Sequence, residues 1–247
     1  MFPIRDHNPS GAVPYVTYAL MAANVAVFAA YWSALGEGPL LDEFFYSWGL
    51  VPESVLRGQG LLTPLSSMFL HGGWWHLIGN MWFLWIFGDN LEEEFGHRRF
   101  LSFYLLAGLA AAALQIASDP GSDIPMVGAS GAIAGVMGGY LLLFPRARID
   151  VLFIFVIFFR IFAIPAWIVL GVWIGLQFFS GAATPTEAGG VAYWAHVGGF
   201  AGGFVLTIPG LLRRGGRRYW QRTHGQPPHP ETVYPVSRTS IPRVRRR

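Results

Sequence analysis

Cysteine is absent from the 247 residues, which removes disulfides, thiolate nucleophiles and cysteine-based metal sites together. Lysine is absent too, since all 17 basic residues are arginine. Charge of any kind is scarce: Asp, Glu, Lys and Arg make up 13% of the chain against 53% for apolar residues, and the formal net charge is +3. Mean hydropathy is positive. A water-soluble domain carries about a quarter charged residues, so this balance excludes one and places the chain in a bilayer.

Crossing ~30 Å of hydrocarbon takes ~20 mostly apolar residues. Apolar windows between charged or turn-rich breaks give six spans, near residues 15 to 35, 70 to 90, 99 to 118, 127 to 145, 164 to 181 and 193 to 212. One membrane domain over 15–212 therefore accounts for most of the chain, between a short lead (1–14) and a tail (213–247). The first apolar stretch is longer than a signal-peptide core and follows a lead with the single arginine Arg5, so it is expected to be a retained helix.

Arginine placement orients the spans. Arg98, Arg99, Arg146 and Arg148 follow spans two and four, and ten more arginines start at Arg213. The intervening loops hold Arg57 beside Glu37, Asp42, Glu43, Glu53, Asp119, Asp123 and Glu187. The arginine-bearing segments are expected in the cytoplasm, and with them both termini. Glu92, Glu93 and Glu94 then read as a solvated cytoplasmic helix end. The tail, with its proline-rich stretch and basic clusters, is expected to be disordered and held near anionic lipid. Residues 151 to 163 are apolar and β-branched but contain Arg160, which is costly near the bilayer centre. They read as interfacial, either a short hairpin on the cytoplasmic face or an extension of span five. The loop 36–69 is long enough to hold structure of its own.

Polar groups at membrane depth are expensive and usually face the bundle interior. Those inside the spans are His71, His76, Asn80, Ser130 and His196. Spans two, four and six run in the same direction, and these residues fall in the first third of each. They share one layer, nearer the outer surface. A serine becomes a nucleophile when a neighbouring base takes its proton, and histidine suits that task. Ser130 and His196 can form such a pair, and no Asp or Glu at matching depth makes it a triad. His76 and Asn80 lie one turn apart, about 40° around an ideal helix, so both can point at one oxyanion, with the Ser130 N–H as a third donor. His71 lies about 140° from His76 and has a supporting role. Gly128, Gly131, Gly135 and Gly139 on span four, with Gly199 and Gly203 on span six, form faces that let the two backbones approach.

Each feature alone has a plainer meaning. A serine in a Gly/Ala-rich span is more often a packing residue, Asn80 can be interhelical glue, His71 an interfacial hydrogen-bonder, and the cluster Trp74, Trp75, Trp82 and Trp85 a reflection of interfacial preference. Their conjunction at one depth favours chemistry. Three rivals remain: a metalloenzyme using His71, His76 and His196, disfavoured by the 140° offset; a non-enzymatic binder of membrane proteins; and a transporter, weakened by the absence of a mid-membrane carboxylate or internal repeat.

The segments FLHGGWWHLIGNMWFLWIFGDNLEEEFG, GASGAIAG and AHVGGFAGG, in this order and spacing, resemble the three signature regions of the bacterial rhomboid proteases. The resemblance covers about residues 15 to 212. It implies an all-α membrane protein, a six-transmembrane-helix bundle with both termini cytoplasmic, that hydrolyses peptide bonds in or next to transmembrane helices without metal or cofactor. It makes Ser130 the nucleophile, His196 the base, His76 and Asn80 the oxyanion-stabilising residues and His71 the motif's additional histidine. Gly199 and Gly203 match the glycines that let the histidine helix approach the serine helix. Substrate access would be gated by span five and the loop before span six. Partners would be single-span or other transmembrane proteins and membrane lipids, not nucleic acid, and the location a bacterial inner membrane. One departure concerns the histidine: Ala134 stands where some members have a tyrosine stacked on it, so aromatic neighbours such as Tyr193 or Trp194 are expected to hold the ring.

Overall fold

The apolar runs between glycine, proline and charge fold as helices, and the computed structural model describes residues 2–8, 10–155, 158–184 and 190–228. The helices are α1 (Tyr15–Leu35), α2 (Pro39–Trp48), α3 (Pro52–Leu56), α4 (Thr63–Ser66), α5 (Trp74–Phe95), α6 (His97–Ser118), α7 (Ser130–Leu143), α8 (Ala166–Ala183), α9 (Tyr193–Arg213) and α10 (Arg217–Thr223). The strands are β1 (Phe2–Asp6), β2 (Arg148–Phe155) and β3 (Phe158–Pro165).

Among the described residues four helices, α1, α6, α8 and α9, are long and apolar enough to cross a bilayer. α5 has 22 residues but ends in an acidic turn containing Glu92, Glu93 and Glu94. α7 has 14 residues, about 20 Å of rise. It is shorter than its apolar run because the chain ahead of it is extended. Met126 exchanges backbone hydrogen bonds with Leu50 at 2.8 and 2.9 Å, and Gly128 donates to the Ser67 carbonyl at 2.9 Å. The long first loop is indeed structured, as α2, α3, α4 and a 3-10 turn over Ser67–Phe69.

α7 is the axis of the bundle. Twelve of its residues, among them Gly131, Ala134, Gly135, Gly138 and Gly139, are buried, and it packs chiefly on α9 and α6, then on α5 and α8. Small side chains make it thin enough to be surrounded. A Cβ on Gly199 would collide with the carbonyl of Gly131, and one on Gly203 with that of Gly135. The α7 and α9 backbones therefore touch, as the glycine faces led one to expect.

The acidic end of α5 is solvated only in part: Glu93 is exposed, but Glu92 and Glu94 are engaged within the fold. Glu92 is 1% exposed and accepts from the Val16 and Thr17 N–H groups and the Thr17 hydroxyl at 2.7–2.8 Å. It supplies the free amides at the start of α1 with a carboxylate, in the favourable direction of the helix dipole. Glu94 binds Arg214 and, at 2.9 Å, the Tyr219 hydroxyl. The segment after 213 thus begins with structure: α10 docks through Tyr219 and through Trp220, whose indole donates to the Leu142 carbonyl at 3.0 Å. Residues 229–247 of the tail lie outside the described residues.

The all-α expectation needs correction, because the strands form an antiparallel sheet in the order β1-β2-β3. Asp6 pairs with Ile149 and Pro3 with Val151, while β2 and β3 form a hairpin running from Arg148↔Pro165 to Phe155↔Phe158. The β-branched and aromatic run 149–164 favours strand over helix. This realises the hairpin alternative for 151–163, of which 156 and 157 lie outside the described residues. Ile149 and Val151 are buried, whereas Phe159, Ile161 and Phe162 are exposed, as is Arg160. The short lead supplies β1, which lies along α5: Trp82 donates from its indole to the Pro3 carbonyl at 2.7 Å and Asn90 from its amide to Asp6 at 2.6 Å.

Candidate active site

Gly128 holds φ at +133°, a conformation closed to most side chains. The turn it permits ends the extended segment, and α7 starts two residues later. Ser130 is consequently the first residue of a helix, where its N–H has no acceptor within the helix and the dipole favours negative charge. Its side chain opens into a cavity of about 620 Å³, lined from α5 by His76 and Asn80, from α8 by Trp173 and from α9 by His196.

The close α7–α9 contact brings the serine and the histidine together. Ser130 Oγ and His196 Nε2 are 2.8 Å apart, hydrogen-bonding distance. His196 Nδ1 lies 2.7 Å from Oε1 of Gln177 on α8. Trp173, one turn earlier on α8, is stacked at a tilt on the imidazole, with ring centroids 5.7 Å apart. Trp194, expected to hold that ring, packs edge-on against Phe178 instead.

His76 stands across from Ser130. Its Nδ1 accepts from the Gly72 N–H at 3.3 Å, which leaves Nε2 to carry the proton of the neutral ring. A Cβ placed on Gly128 would lie 2.8 Å from His76 Nε2 and 3.4 Å from Ser130 Oγ. Glycine therefore keeps open a point within reach of both nucleophile and donor, where a reacting carbonyl oxygen can sit. Asn80 is buried on the same wall, its amide donating at 2.8 Å to the His76 carbonyl; its second amide hydrogen is left for another acceptor. His71 precedes α5 in the turn that enters it. It is fully buried, its backbone exchanges hydrogen bonds with the Tyr31 hydroxyl at 2.6 and 2.9 Å, and its ring meets that of His76 edge-on at 5.1 Å.

Of the site residues singled out in the sequence, Ser130, His196, His76, Asn80, Gly128 and Gly131 line the cavity, His71 lies behind His76, and Gly199 and Gly203 hold α9 against the α7 backbone beside it. Gln177 and Trp173 escaped the reading. Gln177 carries the signal that picked out Asn80, a polar amide inside an apolar span, in the second half of α8. Residues 185–189 of the loop expected to gate access lie outside the described residues.

A model of the Rhomboid domain matches residues 59–213. Rhomboid protein 1, mitochondrial, of Saccharomyces cerevisiae is 30% identical over 191 residues, which are 74% of this chain and 50% of that protein. RHOMBOID-like protein 5 of Arabidopsis thaliana is 32% identical over 169 residues, 56% of this chain and 55% of its own length. Rhomboid protease GluP of Bacillus subtilis is 36% identical over 132 residues, 52% of this chain and 24% of that protein. The chain thus spans about half the length of the first two relatives and a quarter of the third. Coming from a mitochondrion, a plant and a bacterium, they do not single out the bacterial inner membrane; apolar helices and relatives together indicate a multi-pass membrane protein.

Proposed function

The chain belongs to the rhomboid family, and on that footing we propose that it is an intramembrane serine endopeptidase acting through a Ser130–His196 dyad on transmembrane helices of other membrane proteins. The observation that carries the proposal is the 2.8 Å Ser130–His196 contact beside a cavity walled by two further polar groups. As the Ser130 oxygen attacks a peptide carbonyl carbon, its proton passes to His196 Nε2 and the carbonyl oxygen takes the negative charge. The Ser130 N–H at the start of α7, the Nε2–H of His76 and the free amide hydrogen of Asn80 then receive that oxyanion. His196 returns the proton to the leaving nitrogen as the C–N bond breaks, and later takes one from the water that hydrolyses the acyl ester.

The topology belongs to the same proposal. Six spans with both termini in the cytoplasm put Ser130 nearer the outer surface, so a substrate helix is cut near its outer end. Helices with small or helix-breaking residues there are the preferred substrates, because opening them frees fewer well-made backbone hydrogen bonds. The cavity volume leaves room for an extended peptide and water.

Purified protein in liposomes, given a single-span model substrate with and without a chelator, tests this reading. Wild type should cleave with or without chelator, and Ser130→Ala and His196→Ala should not. Cleavage by Ser130→Ala would overturn the dyad, chelator sensitivity would favour a metal site, and binding without cleavage by wild type a non-enzymatic binder.

A further inference from the structure

We propose that Gln177 is a positioning residue for the reaction, fixing His196 in the tautomer that can accept the Ser130 proton. The inference rests on the serine-protease reading above and adds to it a third member, on a third helix.

Neutral imidazole carries one proton, and the nitrogen that holds it is set by the partner of the other. With Nδ1–H donating to the Gln177 carbonyl oxygen at 2.7 Å, Nε2 presents a lone pair to the Ser130 hydroxyl at 2.8 Å. Without an acceptor at Nδ1, the ring is free to take the opposite tautomer, in which Nε2–H points at the serine oxygen and no proton can be taken. The acceptor also answers the charge that develops. As the proton reaches Nε2 the ring becomes a cation, and its Nδ1–H bond to the amide oxygen becomes a charge-assisted one. Other serine hydrolases assign this place to a carboxylate. A glutamine supplies the same oxygen without burying an anion at membrane depth, where an unpaired charge is costly.

Trp173 reinforces the assignment. It lies four residues before Gln177, on the same face of α8, and packs on the imidazole with centroids 5.7 Å apart. One helix face thus fixes both the plane of the ring, through Trp173, and its rotation within that plane, through Gln177. Because α8 carries both contacts and α9 carries the histidine, the base is competent only while α8 is seated against α9.

Gln177→Leu keeps approximate bulk and removes the acceptor, whereas Gln177→Glu offers oxygen acceptors alone. With a transmembrane model substrate in liposomes, the leucine variant should lose kcat by about 10- to 100-fold, part of the general-base contribution. Its KM and melting temperature should stay at the wild-type values, and the glutamate variant should recover most of kcat. A purely structural glutamine would instead move KM and melting temperature together with kcat, and the charged glutamate would rescue nothing. That pattern, or full kcat in the leucine variant, would overturn the assignment. If Ser130→Ala is inert while Gln177→Leu turns over like wild type, only the role of Gln177 falls; if Ser130→Ala cleaves, the protease reading falls with it.

Discussion

Two polar clusters are built on the same two helices, and they differ in the space beside them. Near the starts of the two helices, α5 offers His76 and Asn80 and α7 offers Ser130. Ten residues further along each helix, about 15 Å away, α5 offers Asn90 and α7 offers Tyr140. The first cluster faces a cavity of about 620 Å³. The second, inner one is closed: Asn90 is 1% exposed and Tyr140 fully buried, and both donate to Asp6 of β1, at 2.6 and 3.1 Å. Polar groups within a membrane bundle invite a functional reading, but only the first cluster leaves room for a second molecule. The second is a joint, fastening the N-terminal strand, and through it the sheet, to the bundle.

The comparison is sharpened first by His76→Ala. Removing one preformed donor to a developing oxyanion costs on the order of 10²- to 10³-fold in kcat, and this variant should lose about that much while unfolding at the wild-type temperature. A parallel fall in thermal stability would make His76 part of a joint as well.

A smaller effect, on stability alone, is expected at the inner cluster. Burial, then the charge of Asp89, raises the Asp6 carboxyl to about 8, while bonds from Tyr140, Asn90 and the Asn8 backbone pull the other way. Such a carboxyl holds its proton more tightly folded than unfolded. The folded state is unpenalised below about pH 4 and loses stability as pH climbs from there to about 8. Asp6→Asn keeps an oxygen for Asn90 and Tyr140 without the charge. It should raise the melting temperature by about 5 °C or more at pH 8 and leave it unchanged at pH 4, with kcat unaltered. Asp150 on β2 is the opposite case: burial pushes its carboxyl up, but hydrogen bonds from His7 and Arg5 outweigh it and hold the group below the usual range. Its contribution is present at neutral pH and fades in acid.

The legibility of the two clusters differed in the same way. Ser130, His196, His76 and Asn80 could be read because span direction and position within each span fix depth, and only a few polar side chains occur there. The glycines of α7 and α9 could be read because small residues at a four-residue spacing mean touching backbones. Gln177 carried the same signal as Asn80 but was passed over because its span runs opposite to the three that hold the other polar residues, and only the fold shows that it reaches the level of His196. The inner joint was hidden for a stronger reason: the five residues of β1 carry no strand signal of their own, and their partner on β2 lies some 145 residues away. Glu92 looked solvated because its hydrogen-bond partners are backbone amides of α1, which no side-chain pattern reveals.

Covalent labelling tests the central claim most directly. The protein in liposomes, treated with a fluorophosphonate and digested for mass spectrometry, should carry a single adduct on Ser130, formed fastest by wild type and scarcely at all by His196→Ala. An adduct on another residue, or equal labelling of Ser130 with and without His196, would contradict the dyad.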